Sequence, residues 1–444
     1  MTFLLLVIAP GLFSVLLWTV YRRTDIGFIL LLLGEAFQNA FGLNSLVVGG
    51  LHLTPSDAVS MLLLLAGIAR TVQSAKHINL DKIIIISYVS LLGFSLLRGL
   101  LAFDLTVVGN EFRAYVGSAA ALLYFTTART DDKQIRKYVF SYIVFSLVLC
   151  LIAAGSAVGL PIGISSWEGA DLAAINGRLL PATGAAALAV CAFLSLAVFQ
   201  YQRSNLTTRI LPILFLGMTI YLRHRTAWMM LLAGFAALLT VDFRMFRRVL
   251  PVAVAAAVAV ATITLLGSGA TEVGGTEQFS DAISNGQTFA WRVNGWKELL
   301  VDEQNVLTIA IGKEMGSRFW RIDPMTYQSI DVVPHSEYIQ DYLRIGILGT
   351  ALLLLLFLRI AKKLWQVARW SKDGIYPSAS AWAIVISVAL VYGFTYGIPP
   401  HLYALVGIAG AMTIGTEWRR FVEDETNSIG WSDEGMPDAS GEMA

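Results

Sequence analysis

Two stretches of the chain hold ionisable side chains in spacings suited to chemistry on a phosphorylated substrate. The first is Tyr221-Leu-Arg-His-Arg-Thr-Ala227, where Arg223 and Arg225 stand two residues apart between long apolar runs. A guanidinium presents a planar fork of donors that fits phosphate oxygens in pairs, and holding it at a membrane boundary is costly without a compensating anion. Arg223 and Arg225 therefore suggest a phosphate or diphosphate site; the competing reading is that they reach to lipid headgroups or pair with carboxylates. The second stretch is Pro334-His-Ser-Glu-Tyr-Ile-Gln-Asp341. A neutral imidazole at a membrane surface can take the proton of an attacking hydroxyl, which makes His335 a candidate general base. Glu337, Tyr338 and Asp341 are secondary candidates. The alternative is a histidine that only caps a helix or bonds to a neighbour. His52, His77 and His401 have no helper residues close in sequence and read as structural.

These groups must be positioned by elements of an unusual composition. Of 444 residues, 56% are hydrophobic and 14% charged, which is not the balance of a water-soluble domain. A span of the hydrocarbon layer takes roughly 20 apolar residues. The apolar runs do not alternate as barrel strands do, so the fold class expected is all-α: a polytopic transmembrane helical bundle of about 12–13 spans. The net charge of +1 excludes a basic face for nucleic acid. Cys150 and Cys191 sit inside apolar runs and read as small core residues. The run from Thr2 to Val20 has its positive charge after it, at Arg22 and Arg23, as a retained helix would rather than a cleaved signal.

Apolar runs bounded by charge place spans near residues 3–20, 26–50, 58–74, 83–101, 113–128, 138–160, 181–199, 209–222, 226–241, 247–266, 343–358, 380–398 and 401–416. The second contains Glu35, Gln38, Asn39 and Asn44 and is the one most open to being broken. Most of the 32 Lys and Arg residues fall near Arg22, Lys76, Lys133, Arg203, Arg247, Lys362 and the C-terminal end. The excess of positive charge on cytoplasmic loops then puts that set, and the C-terminus, inside. This divides the chain into transmembrane helices over 1–266, a large loop over 267–342 on the opposite, periplasmic face, C-terminal helices over 343–416, and an acidic cytoplasmic tail over 417–444 of disordered composition. The loop opens on the Gly-rich stretch Gly267 to Gly275 but holds Trp291, Trp296, Trp320, Phe289, Phe319 and Tyr327, too aromatic for a slack linker. Trp296, Leu299 and Leu300 recur at helical spacing over 288–301, with Arg292 one turn before Trp296, as in a helix lying on the membrane surface. A second helix is expected to start at Pro334, with His335, Tyr338, Ile339 and Tyr342 on one face.

Three segments carry a family resemblance. Pro334-His-Ser-Glu-Tyr-Ile-Gln-Asp-Tyr-Leu-Arg-Ile-Gly-Ile-Leu-Gly349 resembles the His-Asn/Ser-x-Tyr-Leu and Gly-x-x-Gly pattern of the O-antigen ligase and polymerase superfamily. Arg225-Thr-Ala, opening a span, is similar to a second signature of that family. Trp291-Arg-Val-Asn-Gly-Trp296 resembles the Arg and Trp segment early in its large periplasmic loop. Order and spacing agree from about Leu211 to Leu358, and the earlier spans match only as generic apolar helices. Ser336 stands where Asn is commoner in the family, and 13 spans exceed the usual 12, the first being the extra one.

The resemblance implies a glycosyltransferase of the bacterial inner membrane, acting at the periplasmic face in the biosynthesis of lipopolysaccharide or another cell-surface polysaccharide. The donor would be a glycan on undecaprenyl diphosphate and the acceptor a saccharide or a lipid A-core-like molecule. Arg225 and Arg292, with Arg223, would neutralise the diphosphate leaving group, and His335 would be the base of an inverting transfer. No nucleotide sugar, cofactor or metal is called for, since neither carboxylates nor histidines show ligand spacing. Ligases and polymerases share these motifs. One loop carrying both Arg292 and His335 is the ligase-like arrangement, and an O-antigen or exopolysaccharide polymerase is the alternative. A polysaccharide or lipid transporter is the reading from another class; it calls for ionisable groups within spans and internal repeats, of which only Glu35 is evident.

The orientation has a direct check. A reporter active only in the periplasm is expected to be active when fused after Ser284 and silent when fused after Lys372. The reverse pattern would move His335 to the cytoplasmic side and remove the rationale for a polyprenyl-linked donor.

Overall fold

The computed structural model describes residues 2–42, 46–74, 79–163, 178–201, 206–258 apart from 245, 248, 252 and 256, 287–301, 305–322, 328–370 and 377–414. The Gly-rich opening of the long loop, Tyr327, His77 and the acidic tail lie outside these residues. The protein is mostly helical: α1 (Thr2–Arg22), α2 (Thr24–Phe41), α3 (Pro55–Gln73), α4 (Leu80–Ala102), α5 (Leu105–Phe125), α6 (Asp132–Ala157), α7 (Ala182–Tyr201), α8 (Leu206–Tyr221), α9 (Arg225–Val241), α10 (Gln287–Val301), α11 (Val306–Ile311), α12 (Glu337–Trp370), α13 (Pro377–Gly393) and α14 (Pro400–Ile414). Two hairpins of three-residue strands interrupt it, β1 (Leu46–Val48) with β2 (Leu51–Leu53) and β3 (Trp320–Ile322) with β4 (Ser329–Asp331). Among the described residues the helices Pro55–Gln73, Leu80–Ala102, Lys133–Ala157 and Glu337–Ala368 are long and apolar enough to cross a membrane. Shorter apolar helices accompany them at Ala182–Leu196, Ile210–Tyr221, Arg225–Val241 and Ala379–Gly393.

Local chemistry explains where several helices begin. Thr54 and Asp57 form a reciprocal capping box at the start of α3, with Pro55 in the first turn, so two backbone donors that the helix cannot satisfy are bonded by side chains. Asn79, Asp131 and Asn305 each accept a backbone N–H at the starts of α4, α6 and α11. The apolar side chains form one continuous core through the bundle, in which α7, α13 and α14 are buried along most of their described length. Large apolar side chains on α1, α3, α4 and α6 face outward, among them Trp18, Leu65, Leu97 and Leu151, as suits helices that meet lipid.

Charged groups gather at the two ends of the helices. At one end Asp25 pairs with Arg23 at 2.9 Å and Lys137 at 3.2 Å, and the nearly buried Asp81 carboxylate holds Arg359 at 2.7 Å and Lys363. At the other end Arg98 pairs with Glu314 at 3.0 Å and donates to the carbonyl of Gly312, while Glu111 binds Arg344 and the backbone N–H of Gly316. Helices α4 and α12 each contribute to both groups, so their opposite ends are fixed independently.

Three sequence expectations are corrected. The segment 26–50 is not one span: α2 ends at Phe41, where Gly42 takes φ 72°, and the hairpin β1–β2 follows. The second loop helix begins at Glu337 and not at Pro334, and it runs on through 343 as α12 with a break at Gly346, φ 66° and ψ −170°. The helix over 288–301 is present as α10, but it does more than lie on a surface. Its Leu299 packs with Phe319 and Leu343 in a small second core that Ile339 and Tyr342 join, because the loop and the start of α12 supply further apolar partners.

Gly346 and Gly312 let the loop cross α12 at backbone contact. A Cβ on Gly346 would lie 2.2 Å from the carbonyl oxygen of Ala310, and one on Gly312 would lie 2.3 Å from the carbonyl carbon of Arg344. Both have positive φ, which only glycine adopts without strain. Gly346→Ala is therefore expected to lower stability by roughly 1–3 kcal/mol, read as a fall in the thermal unfolding midpoint of the purified protein. Gly93→Ala, at a helical glycine with open space around it, should leave the midpoint unchanged or raise it slightly. Equal midpoints for Gly346→Ala and the parent protein would show that the crossing is not as close as described.

Candidate functional site

The site is built where the loop meets the segment 394–399 between α13 and α14. This short connection is punctuated by Gly393, Gly397, Pro399 and Pro400, which end one helix and start the next. The residues after His335 are locked onto it. Ser336 Oγ donates to the carbonyl of Gly393 at 3.3 Å, the Glu337 N–H to that of Tyr396 at 3.2 Å and Tyr338 Oη to that of Leu390 at 2.7 Å. The Glu337 carboxylate in turn accepts from the Ile398 N–H at 2.7 Å and from Tyr403 Oη at 2.6 Å. Glu337 is buried, and a buried carboxylate is tolerable only when its oxygens are bonded in this way.

Helix α10 reaches the same segment from the other side. Arg292 Nη1 donates to the carbonyl of Thr395 at 3.1 Å and Nη2 to Tyr396 Oη at 3.2 Å, and the guanidinium lies 4.8 Å from the centre of the Tyr396 ring. The Tyr396 ring is in turn 5.7 Å from that of His335. Thr395 Oγ1 bonds Thr226 Oγ1 at 3.1 Å, and Thr226 follows Arg225, the first residue of α9. Thr395 and Tyr396 thus gather Arg292, His335 and the start of α9, three parts of the chain that are more than 40 residues from one another in sequence.

The electrostatics are one-sided. Among the described residues no carboxylate pairs with Arg292, its bonded partners are a carbonyl and a phenol, and its Nε is buried without a hydrogen bond. Arg321 adds a second guanidinium, this one buried and stacked 3.7 Å over the Trp291 ring. Gly295 leaves room for it, since a Cβ there would lie 2.2 Å from Arg321 Nη1. Burial, then the positive charges of Arg292 and Arg321, lower the His335 imidazole from its usual value near 6.5 to about 4. The imidazole is therefore neutral and can accept a hydroxyl proton, and the burial and neighbouring cations that keep it neutral also make it a weaker base than an ordinary histidine.

The other sequence candidates fall in different places. Arg225 and Arg223 are half-buried at the same end of the bundle, Arg223 with left-handed backbone at φ 56°. The histidine between them is buried, and its Nε2 bonds the carbonyl of Leu180 at 2.7 Å; a carbonyl can only accept, so His224 is held with that nitrogen protonated. Burial and then Arg178 lower it to about 4. Glu337 and Tyr338 face the 390–403 segment and are fully engaged there. Asp341 is buried one turn further on, where one oxygen accepts from Tyr88 Oη at 3.1 Å and the other has no hydrogen bond. His401 is buried 3.6 Å from Glu35, so it has a helper that only the fold supplies. Sequence reasoning missed Tyr396, Thr395 and Arg321. The Gly and Pro punctuation of 393–400 was the available signal for the first two; nothing local marks Arg321.

No family model matches the chain, and no curated protein matches it.

The lowered His335 value can be read without any activity. Its folded-state value lies below the ordinary one, so the neutral form in the folded protein should persist down to about pH 4, and the stability tied to it should be fully present above about pH 6.5 and be lost as the pH falls towards 4. Diethyl pyrocarbonate reacts with neutral imidazole. Peptide mapping should find His335 modified nearly as fast at pH 5.5 as at pH 7.5, where an ordinary histidine, about 90% protonated at pH 5.5, slows about tenfold. A tenfold slowing at His335 would show an unshifted imidazole.

Proposed function

We propose that the protein is a glycosyltransferase of the O-antigen ligase type, moving a glycan from undecaprenyl diphosphate to a saccharide or lipid-linked acceptor at the periplasmic face of the inner membrane. The observation that carries this reading is the Arg292 guanidinium, held by a carbonyl and a phenol beside a neutral imidazole, with no carboxylate paired with it among the described residues. That is a place prepared for an anion. The three sequence segments that resemble the family support it: Arg292 and His335 lie against Tyr396, and Thr226, the residue after Arg225, bonds Thr395. The same features suit a polymerase that extends one lipid-linked glycan with another.

The chemistry follows from these groups. The acceptor hydroxyl oxygen attacks the anomeric carbon from the face opposite the diphosphate, and His335 takes the hydroxyl proton as the new bond forms. The bond from the anomeric carbon to the diphosphate oxygen breaks with its electron pair leaving on the diphosphate. Arg292 and Arg225 neutralise the charge that grows there, and the configuration at the anomeric carbon inverts. Imidazolium then returns its proton to water or to the released diphosphate. A polyprenyl diphosphate is already a good leaving group, so positioning and charge neutralisation supply most of the acceleration.

The test is a purified assay with a lipid-linked saccharide donor. His335→Ala should lower the rate by about 100-fold to 10,000-fold with donor binding retained. His335→Gln, which can donate a hydrogen bond but accept no proton at neutral pH, should be equally impaired; recovery with Gln would make His335 a binding residue. Arg225→Lys keeps the charge but loses the fork and should lose most activity at unchanged abundance. Normal transfer by both Arg225→Lys and Arg225→Ala would remove Arg225 from the site. A product ladder made from donor alone would assign a polymerase, whereas a single transfer that needs a second substrate would assign a ligase.

A further inference from the structure

A polar cavity of about 310 Å³ is lined in part by Glu337 and by residues 397–400, which directly follow the Thr395 and Tyr396 that Arg292 contacts, while Arg292 itself is not in its lining. Its lining includes Glu35 and Gln38 of α2, Asp57 of α3, Asn110 and Arg113 of α5, and Gln340 of α12. Most of these are fixed by bonds to the surrounding backbone. Asn110 accepts from the His52 N–H at 3.1 Å, Arg113 lies 3.6 Å from Asp57 and donates to the carbonyl of His52, and Gln340 Nε2 donates to that of Pro334, the residue before His335. Glu35 differs. It is 4% exposed, its carboxylate accepts no hydrogen bond among the described residues, and its one ion-pair neighbour is the His401 ring at 3.6 Å. A buried carboxylate facing a cavity without donors of its own is costly unless something in the cavity supplies them.

The geometry points to this cavity as the binding site for the acceptor saccharide, its hydroxyls donating to Glu35 and exchanging hydrogen bonds with Gln38, Arg113 and Gln340. Four features select a saccharide. The lining mixes carboxylate, amide, guanidinium and hydroxyl groups, which suits a ligand that both donates and accepts at many points. Glu35 and Asp57 give it acidic groups, so it does not suit the diphosphate that the Arg292 side attracts. Its volume fits about one to two sugar rings, at the small end of the range for ligand sites. Gln340 and Gly397 link it to both walls of the His335 site, so a hydroxyl can be offered from one side and the diphosphate held on the other. The inference rests on the proposed glycosyl transfer for the word acceptor, but the binding itself can be measured without turnover.

The probe is the oligosaccharide released by mild acid from the glycolipid fraction of the cells that make the protein, observed by saturation-transfer-difference NMR with the full chain in lipid nanodiscs. Signal is expected from the parent protein. Glu35→Gln and Gln38→Ala should each weaken affinity about tenfold, the effect of one good hydrogen bond, and Arg292→Ala should leave it unchanged. Ala114→Trp, which fills the cavity mouth without removing a polar group, should abolish the signal in a protein of normal thermal stability, guarding against misfolded carboxylate variants. Undecaprenyl diphosphate binding should show the opposite pattern, lost in Arg292→Ala and retained in the cavity variants. No signal from the parent protein, or signal indifferent to all three cavity substitutions, overturns the saccharide site. Loss of undecaprenyl diphosphate binding in the cavity variants reassigns the cavity to the donor and also overturns it. Saccharide binding with the expected pattern but no transfer from any lipid-linked donor would instead overturn the glycosyltransferase reading and leave the cavity in place.

Discussion

The buried carboxylate of Glu337, bonded by the Ile398 N–H and the Tyr403 hydroxyl, is the constraint on which the site depends. Leaving either donor or the carboxylate unsatisfied inside the protein costs several times what the bond contributes when made, so the start of α12 and the 394–399 segment are held as one piece. His335 is two residues before this bond and Tyr396 two residues before Ile398, which sets the 5.7 Å separation of their rings. Arg292 then has a fixed carbonyl and a fixed phenol to dock against. The same bond also sets the position of Gln340, through the helix it starts, and of Gly397 in the cavity wall.

A second set of contacts keeps the loop from drifting on this platform. Arg344, fully buried under the Phe319 ring, is bonded to Glu111 of α5 and to Ser317 at 2.8 Å. Glu111 also takes the N–H of Gly316 at 2.6 Å, so one carboxylate ties α5, α12 and the loop together. The backbone crossing at Gly312 and Gly346 brings these groups within reach. What binds the loop to the bundle is thus polar and directional at its edges and apolar in the small cluster of Leu299, Phe319 and Leu343 and at Met315, which joins the main core, a combination that specifies one docking geometry.

Much of the helical pattern was legible in the sequence because an apolar run bounded by charge has few alternatives in a bilayer. The helices over 55–73, 80–102 and 225–241 lie close to the runs that announce them. Arg225, Arg292 and His335 were legible as types in context, and the structure brings the three to one end of the bundle. What escaped notice depends on partners distant in sequence. Tyr392 to Pro400 reads as the end of one span and the beginning of the next, because apolar and aromatic residues there look the same whether they meet lipid or carry a site. Glu35 and His401 are 366 residues apart, and no local spacing could join them. The polar residues Glu35, Gln38, Asn39 and Asn44 marked the run from Leu31 to Gly50 as open to a break, but not the hairpin that follows Gly42, since β1 and β2 are largely apolar like the helix before them.

The central claim is that one cationic pocket, assembled on Thr395 and Tyr396, receives the diphosphate. Single-particle imaging of the full chain in nanodiscs with undecaprenyl diphosphate tests it most directly. Phosphate density is expected between the guanidinium groups of Arg292 and Arg225, within reach of the His335 ring, with the prenyl chain leaving toward the lipid. Density placed instead at the opposite end of the bundle, among Arg23, Lys137 and Lys363, would contradict it.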